Sequence, residues 1–148
     1  MPLTVLSPVA GTVVAVTDVP DPVFAEQMVG PGVGVEPADG VVVAPVDGRV
    51  VSLHPHAFVV QAADGAVLVH LGIDTVQLGG AGFDVRTTVG DDVTAGQPLV
   101  AWDPPAVRAG GRATVCPVVV LEADPAALVV LAAPGSVVAP GDPLLRVG

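Results

Sequence analysis

The chain reads as an all-β protein, an antiparallel β-sandwich or barrel-like sandwich of short strands with a few one- to two-turn helices. Three observations predict this. Val, Gly and Pro dominate, with 18 Gly and 16 Pro in 148 residues, a composition suited to short extended runs closed by turns. Turn signals recur about every 8–12 residues, the spacing of sandwiches and barrels. Runs with a helical period are scarce. The length suits one domain, 1–148, with a core of its own.

In chain order the expected strands are TVLSP (4–8), GTVVAV (11–16), VGVEPAD (33–39), GVVVAP (40–45), GRVVSLH (48–54), AFVVQA (57–62), AVLVHLG (66–72), PLVAW (98–102), CPVVVLE (116–122) and PLLRVG (143–148). Three short helical turns are expected where Asp precedes Pro, an N-cap followed by a first helical residue. They are Asp21-Pro22 into VFAEQMVG, Asp103-Pro104 into PAVRAGG, and Asp124-Pro125 into AALVVLAA. The glycines closing the first two sit where a C-cap wants a left-handed residue. Two internal similarities stand out: VGDDVTAGQPLV (89–100) with PGSVVAPGDPLL (134–145), and SPVAGTVV (7–14) with APVDGRVV (44–51). These read as paired halves of a sandwich, since a solenoid needs three or more consecutive units.

Composition removes several functions. The net charge is −10 and the basic residues are five Arg with no Lys. Such a chain repels nucleic acid phosphates and favours a basic partner. Without lysine there is no Schiff base, no P-loop lysine and no lipoyl or biotinyl attachment point. No apolar run approaches the roughly 18–20 residues of a membrane span. The opening MPLTVLSPVAG lacks a basic n-region and an extended h-region, so no signal peptide is expected and the protein is read as cytoplasmic. The single Cys116, set in TVCPVVVL, is expected to be a small core residue and fits a reducing compartment. No G-x-S-x-G elbow is present, and Ser7, Ser52 and Ser136 have no evident base beside them.

All three histidines, His54, His56 and His70, fall in LHPHAFVV (53–60) and VLVHLGIDT (67–75). The hairpin between them suggests that two imidazoles meet. A three-residue loop, Ala63-Asp64-Gly65, would pair Ala62 with Ala66 and set His70 opposite Phe58. His56 would then share that face as a diagonal neighbour, roughly 7–8 Å away between Cα atoms. Two histidines with Asp74 nearby would also make up three zinc ligands, though nothing else in the chain has metal spacing. For His54, an extended strand puts it on the side of His56, whereas a bend at Pro55, the preferred reading, turns it to solvent.

Four blocks, DPVFAEQMVGPG (21–32), APVDGRVVSLHPHAFVV (44–60), HLGIDTVQLGGAGF (70–83) and VGDDVTAGQPLV (89–100), resemble in order and spacing the glucose-type enzyme IIA of the bacterial phosphoenolpyruvate:sugar phosphotransferase system. The resemblance runs from about Ser7 to Leu145. It implies a phosphotransferase component, a phosphocarrier that takes a phosphoryl group from phospho-HPr and passes it to a cysteine of a sugar-specific enzyme IIB or IIBC transporter. It implies His70 as the acceptor, through Nε2, and His56 as the donor that stabilises the phosphoryl group. It further implies an apolar rim with Phe24 and Val23, completed by Val29 and Val59, with Asp21 and Asp74 as acidic neighbours suited to basic HPr. No cofactor or obligatory metal is implied, though His56 and His70 together have the makings of an incidental zinc pair.

Chemically, a nucleophilic imidazole needs its other nitrogen to hold the proton, and the Gly72 carbonyl is the expected acceptor because Gly allows close backbone approach. A second N–H beside the phosphoryl group supplies the stabilisation that a metal or Arg gives elsewhere. His54 stands where better-known members often carry Thr. The alternative reading is a regulatory module whose partners recognise the phosphorylation state of His70.

Overall fold

The computed structural model describes residues 2–148; Met1, the first residue of the expected domain, lies outside the described residues. The strands are β1 (Leu3–Leu6), β2 (Gly11–Ala15), β3 (Gly32–Pro37), β4 (Val41–Val43), β5 (Gly48–His54), β6 (Ala57–Ala62), β7 (Gly65–His70), β8 (Phe83–Val85), β9 (Asp92–Val93), β10 (Pro98–Trp102), β11 (Cys116–Val120), β12 (Leu128–Val130), β13 (Val137–Val138) and β14 (Pro143–Val147). Two short α-helices, α1 (Pro22–Ala25) and α2 (Pro104–Ala109), interrupt them. The fold is the predicted antiparallel sandwich. An eight-stranded sheet, in the order β13-β2-β3-β11-β7-β6-β5-β9, is joined by two three-stranded sheets, β1-β14-β12 and β4-β10-β8.

All ten expected strands have a counterpart. The four that the sequence did not suggest, β8, β9, β12 and β13, are two or three residues long, too short for alternation to register. Each Asp-Pro turn is capped as expected: Asp21 accepts from the Val23 N–H at 2.9 Å, Asp103 from Ala106 at 3.1 Å and Asp124 from Ala126 at 2.9 Å. Two details differ. The first helix ends at Ala25 and the left-handed residue after it is Gln27, φ 55°, not the expected glycine. The third turn lasts one 3₁₀ turn, Pro125–Ala127, before Leu128–Val130 becomes β12, because a β-branched run beside β14 gains more as a ladder than as a helix.

The two internal similarities interlock. Gly90 and Gly135, both left-handed at φ 96° and 91°, donate to the carbonyls of Val50 and Val13 at 2.8 and 2.7 Å. Gly96 and Gly141, both at φ 91°, donate to Ala44 and Ser7 at 2.9 Å each. Thus 7–14 binds 134–145 just as 44–51 binds 89–100. Gly11 and Gly48 occupy matching places, where an added Cβ would come within 2.0 Å of the Glu36 oxygen and 2.2 Å of the Gln61 oxygen. The ladder Val13–Val35–Cys116 corresponds to Val50–Val60–Val67, and all six residues are fully buried. Cys116 is therefore core, as expected; burial pushes its thiol up to about 12.

The core is mostly valine, each burial worth roughly 1.5–3 kcal/mol. Its main body takes the inward face of the large sheet, including Val50, Phe58, Val60, Val67 and Val69. A second cluster, Val16, Val19, Phe24, Ile73, Val115 and Val119, lies where residues 16–31 fold back. The functional candidates lie beside that second cluster.

Candidate functional site

His70 ends β7, and the chain after it turns sharply. The imidazole Nδ1 lies 2.5 Å from the Gly72 carbonyl oxygen. A carbonyl only accepts, so Nδ1 carries the proton and Nε2 keeps its lone pair. The turn depends on Gly72 itself. It sits at φ +77°, and a Cβ there would approach the Thr75 Cγ2 at 2.8 Å and the Ala113 oxygen at 2.9 Å. Thr75, not anticipated from the sequence, braces the turn by donating its buried hydroxyl to the Leu71 carbonyl at 2.7 Å.

The His56 and His70 rings face each other, with centroids 5.1 Å apart and planes at 69°. The juxtaposition was expected, but the expected route to it is wrong. The β6–β7 loop is two residues, Ala63-Asp64; Gly65 belongs to β7 and pairs with Ala62, and His70 stands opposite Ala57 rather than Phe58. That register alone would turn a His56 in regular strand away from His70. His56 instead belongs to a second two-residue turn, Pro55-His56, between β5 and β6. Leaving the ladder frees its side chain from strand alternation, while its carbonyl still accepts from the Leu71 N–H at 2.7 Å. The residue that follows it, Ala57, is 7 % exposed and stands directly across from His70. Ala57 was also not anticipated; the one signal for it is a small residue between two bulky ones in His-Ala-Phe.

Phe24 reaches the site from α1. It is buried in the second cluster, and its ring centroid is 5.4 Å from that of His70. The helix that holds it is short and relies on the Asp21 cap. Val23 beside it is 39 % exposed, and Val29 and Val59 are half-buried. Asp74 is exposed, left-handed at φ 60°, and its carboxylate caps nothing in the 3₁₀ turn Thr75–Leu78 that follows. Both Asp21 and Asp74 act on His70. Burial lowers the His70 pKa below the usual histidine value, while the Gly72 hydrogen bond and the two carboxylates raise it less. His56 is also lowered, by burial first and then by the charges of His70 and His54. Both rings are thereby biased to the neutral form.

His54 combines the two placements considered for it. It is exposed, yet its ring centroid lies 5.8 Å from that of His56. Among the described residues no group of three or more His, Cys, Asp or Glu side chains is arranged to hold a metal ion, so the zinc set with Asp74 is not assembled. Nor is any helix of the described residues long and apolar enough to cross a membrane.

Comparison with known proteins places this geometry. Residues 3–126 match the family described as phosphoenolpyruvate-dependent sugar phosphotransferase system, EIIA 1. The chain is 40 % identical over 128 residues to the PTS system glucose-specific EIIA component of Staphylococcus aureus, covering 84 % of this chain and 77 % of that protein. It is 38 % identical over 125 residues to the Staphylococcus epidermidis component of the same name, covering 82 % and 75 %. The solved structure of glucose permease IIA from Mycoplasma capricolum superposes with a TM-score of 0.90 at 33 % identity, over 99 % of this chain and 96 % of that one. Two facing imidazoles on such a sandwich, matched from its first strand into its last third, make this chain a member of the EIIA 1 family of the phosphoenolpyruvate-dependent sugar phosphotransferase system.

Proposed function

We propose that this phosphotransferase component works as a phosphocarrier, with His70 accepting a phosphoryl group from phospho-HPr and passing it to the cysteine of a sugar-specific enzyme IIB. One observation carries the reading above the others: Nδ1 of His70 is committed to the Gly72 carbonyl while a second imidazole stands in front of the ring. The Nε2 lone pair of His70 attacks phosphorus as the bond to the donor imidazole breaks, and that electron pair returns to the donor. The Nδ1 proton stays in place, and the positive charge gained by the ring is balanced by the Gly72 carbonyl, Asp21 and Asp74. His56 donates an N–H to a phosphoryl oxygen, stabilising charge without a metal. In the second step the enzyme IIB thiolate attacks phosphorus and His70 leaves as a neutral imidazole.

Phe24, Val23, Val29 and Val59 supply an apolar rim on which both partners dock, and the acidic surface speeds encounter with a basic donor. The reading places the protein in the cytoplasm, where phosphoenolpyruvate is made and a free thiol such as Cys116 persists. Incubation with phosphoenolpyruvate, enzyme I and HPr, followed by intact mass at neutral pH, tests it. One acid-labile phosphate is expected, and none in His70→Ala. Undiminished labelling of His70→Ala would remove His70 from the role.

A further inference from the structure

His54 owes its place to an irregularity in β5. Val50 points into the core opposite Val60. Strict alternation would send position 54 inward as well, since residues four apart in a strand share a face. The register shifts between Val50 and Ser52, leaving Val51 as the extra residue. Such a bulge re-aims every side chain beyond it. After it Leu53 pairs with Phe58 on the core side, and His54 pairs with Ala57 on the other. Ala57 in turn pairs with His70. His54, Ala57 and His70 therefore form one cross-strand row over β5, β6 and β7, on one face of the sheet.

The middle of that row holds only a methyl group. The His56 ring comes from the Pro55-His56 turn and fills the space, 5.8 Å from the His54 ring and 5.1 Å from the His70 ring. The turn is backed by the loop Gly79–Gly82, where a Cβ added to Gly80 would lie 3.3 Å from Pro55. That loop carries no titratable side chain. The groups that bear electrostatically on His56 are His70 and His54, and those on His70 are Asp21 and Asp74.

We propose that His54 is a positioning residue for His56: it walls the His56 ring on the side away from His70 and, when protonated, keeps it a neutral hydrogen-bond donor. A neutral donor steadies the phosphoryl group without forming a full ion pair. Release to the next acceptor then stays fast. The kinetic part of this rests on the phosphocarrier reading, whereas the electrostatic part does not.

The test separates the two. Ring C–H resonances of His56 are followed by NMR through a pH titration in the wild type, His54→Gln and His54→Arg. The His56 midpoint is expected to rise by about half a pH unit in His54→Gln, the effect of losing a unit charge about 6 Å away in water. In His54→Arg, charged at every pH, it is expected to stay at or below the wild-type value. An unmoved midpoint in both variants overturns the proposal. In parallel, transfer from phosphorylated protein to enzyme IIB, measured at the pH of the wild-type His56 midpoint, is expected to slow roughly twofold in His54→Gln, as the neutral fraction of His56 falls from about one half to about one quarter. Labelling from HPr is expected to change little. Equal slowing of both half-reactions also overturns it, because that marks a general lesion. If the wild type takes no phosphoryl group from HPr, the phosphocarrier reading fails while the titration still decides the electrostatic claim.

Discussion

The Gly72 carbonyl lies 2.5 Å from Nδ1 of His70, two residues earlier in the chain, and this one contact settles which nitrogen of the ring is free. The contact exists because the backbone at Gly72 is left-handed and close to both Thr75 and Ala113. Gly72→Ala should therefore cost about 1–3 kcal/mol through strain and crowding. It should slow His70 phosphorylation further than the stability loss explains, because the displaced carbonyl no longer holds the proton. Thermal melting and the initial rate of labelling from phospho-HPr, measured on the same sample, check both parts.

Asp21 has two jobs that substitution can separate. As an N-cap it holds α1 and so Phe24; as a carboxylate it raises the His70 pKa against the stronger effect of burial. Asp21→Asn keeps a good cap and loses the charge, so stability should hold within a few tenths of a kcal/mol while the His70 midpoint moves down. Asp21→Ala should lose about 1 kcal/mol along with the charge. Chemical denaturation and an NMR titration of His70 distinguish these outcomes.

Stability should depend on pH in a defined direction. His70 and His56 both have lowered pKa values in the folded state. Between the folded values and the ordinary one near 6.5 the unfolded chain binds more protons, so protonation pulls toward unfolding. The contribution is complete above about pH 6.5 and is lost as pH falls from there through the folded values. The melting temperature should therefore drop on acidification below pH 6.5, and less in His70→Gln, which lacks the more buried of the two rings. A melting curve series from pH 7.5 to 5 that shows no difference between the two proteins would refute this.

Ala57 should tolerate little growth. It is buried, follows His56 directly and pairs with both His54 and His70. Ala57→Ser adds one small polar atom and should leave phosphoryl transfer within about twofold. Ala57→Val, favourable for a strand by propensity, should lift the His56 ring and depress transfer to enzyme IIB, with a stability cost of about 1–3 kcal/mol from overpacking. Separate rates for the two half-reactions provide the measurement.

Much of this was legible in the residues. Period-two runs between Gly and Pro turns located ten of the strands, and the three Asp-Pro pairs located both α-helices and one 3₁₀ turn, while the 3₁₀ turns Val16–Asp18 and Thr75–Leu78 carry no such pair. His70, His56 and Gly72 were named from the residues, and Phe24, Asp21 and Asp74 through the family resemblance; all of the others bear on His70. What escaped is local geometry. Whether Gly65 closes a loop or opens a strand depends on which partner carbonyls the whole sheet presents, and one residue of register reverses the face. The bulge at Val51 has no composition of its own, being one valine among several. Ala57 and Thr75 are common residues whose importance lies only in what stands beside them.

The matched ladders Val13–Val35–Cys116 and Val50–Val60–Val67 continue the correspondence by three residues to Val119 and His70. The two halves have diverged at that point in opposite ways. In one, residues 16–31 bridge the strands and cover Val119; in the other the same connection is only Pro55-His56. The longer bridge also carries Phe24 across to the His70 ring of the other half. Each copy of the motif thus contributes what its sibling lacks, a reactive ring from one and a sheltering arm from the other. Neither half owns a complete site, and the first half lies in sequence on both sides of the second, so the chain must close around the His70 half to bring Phe24 to it.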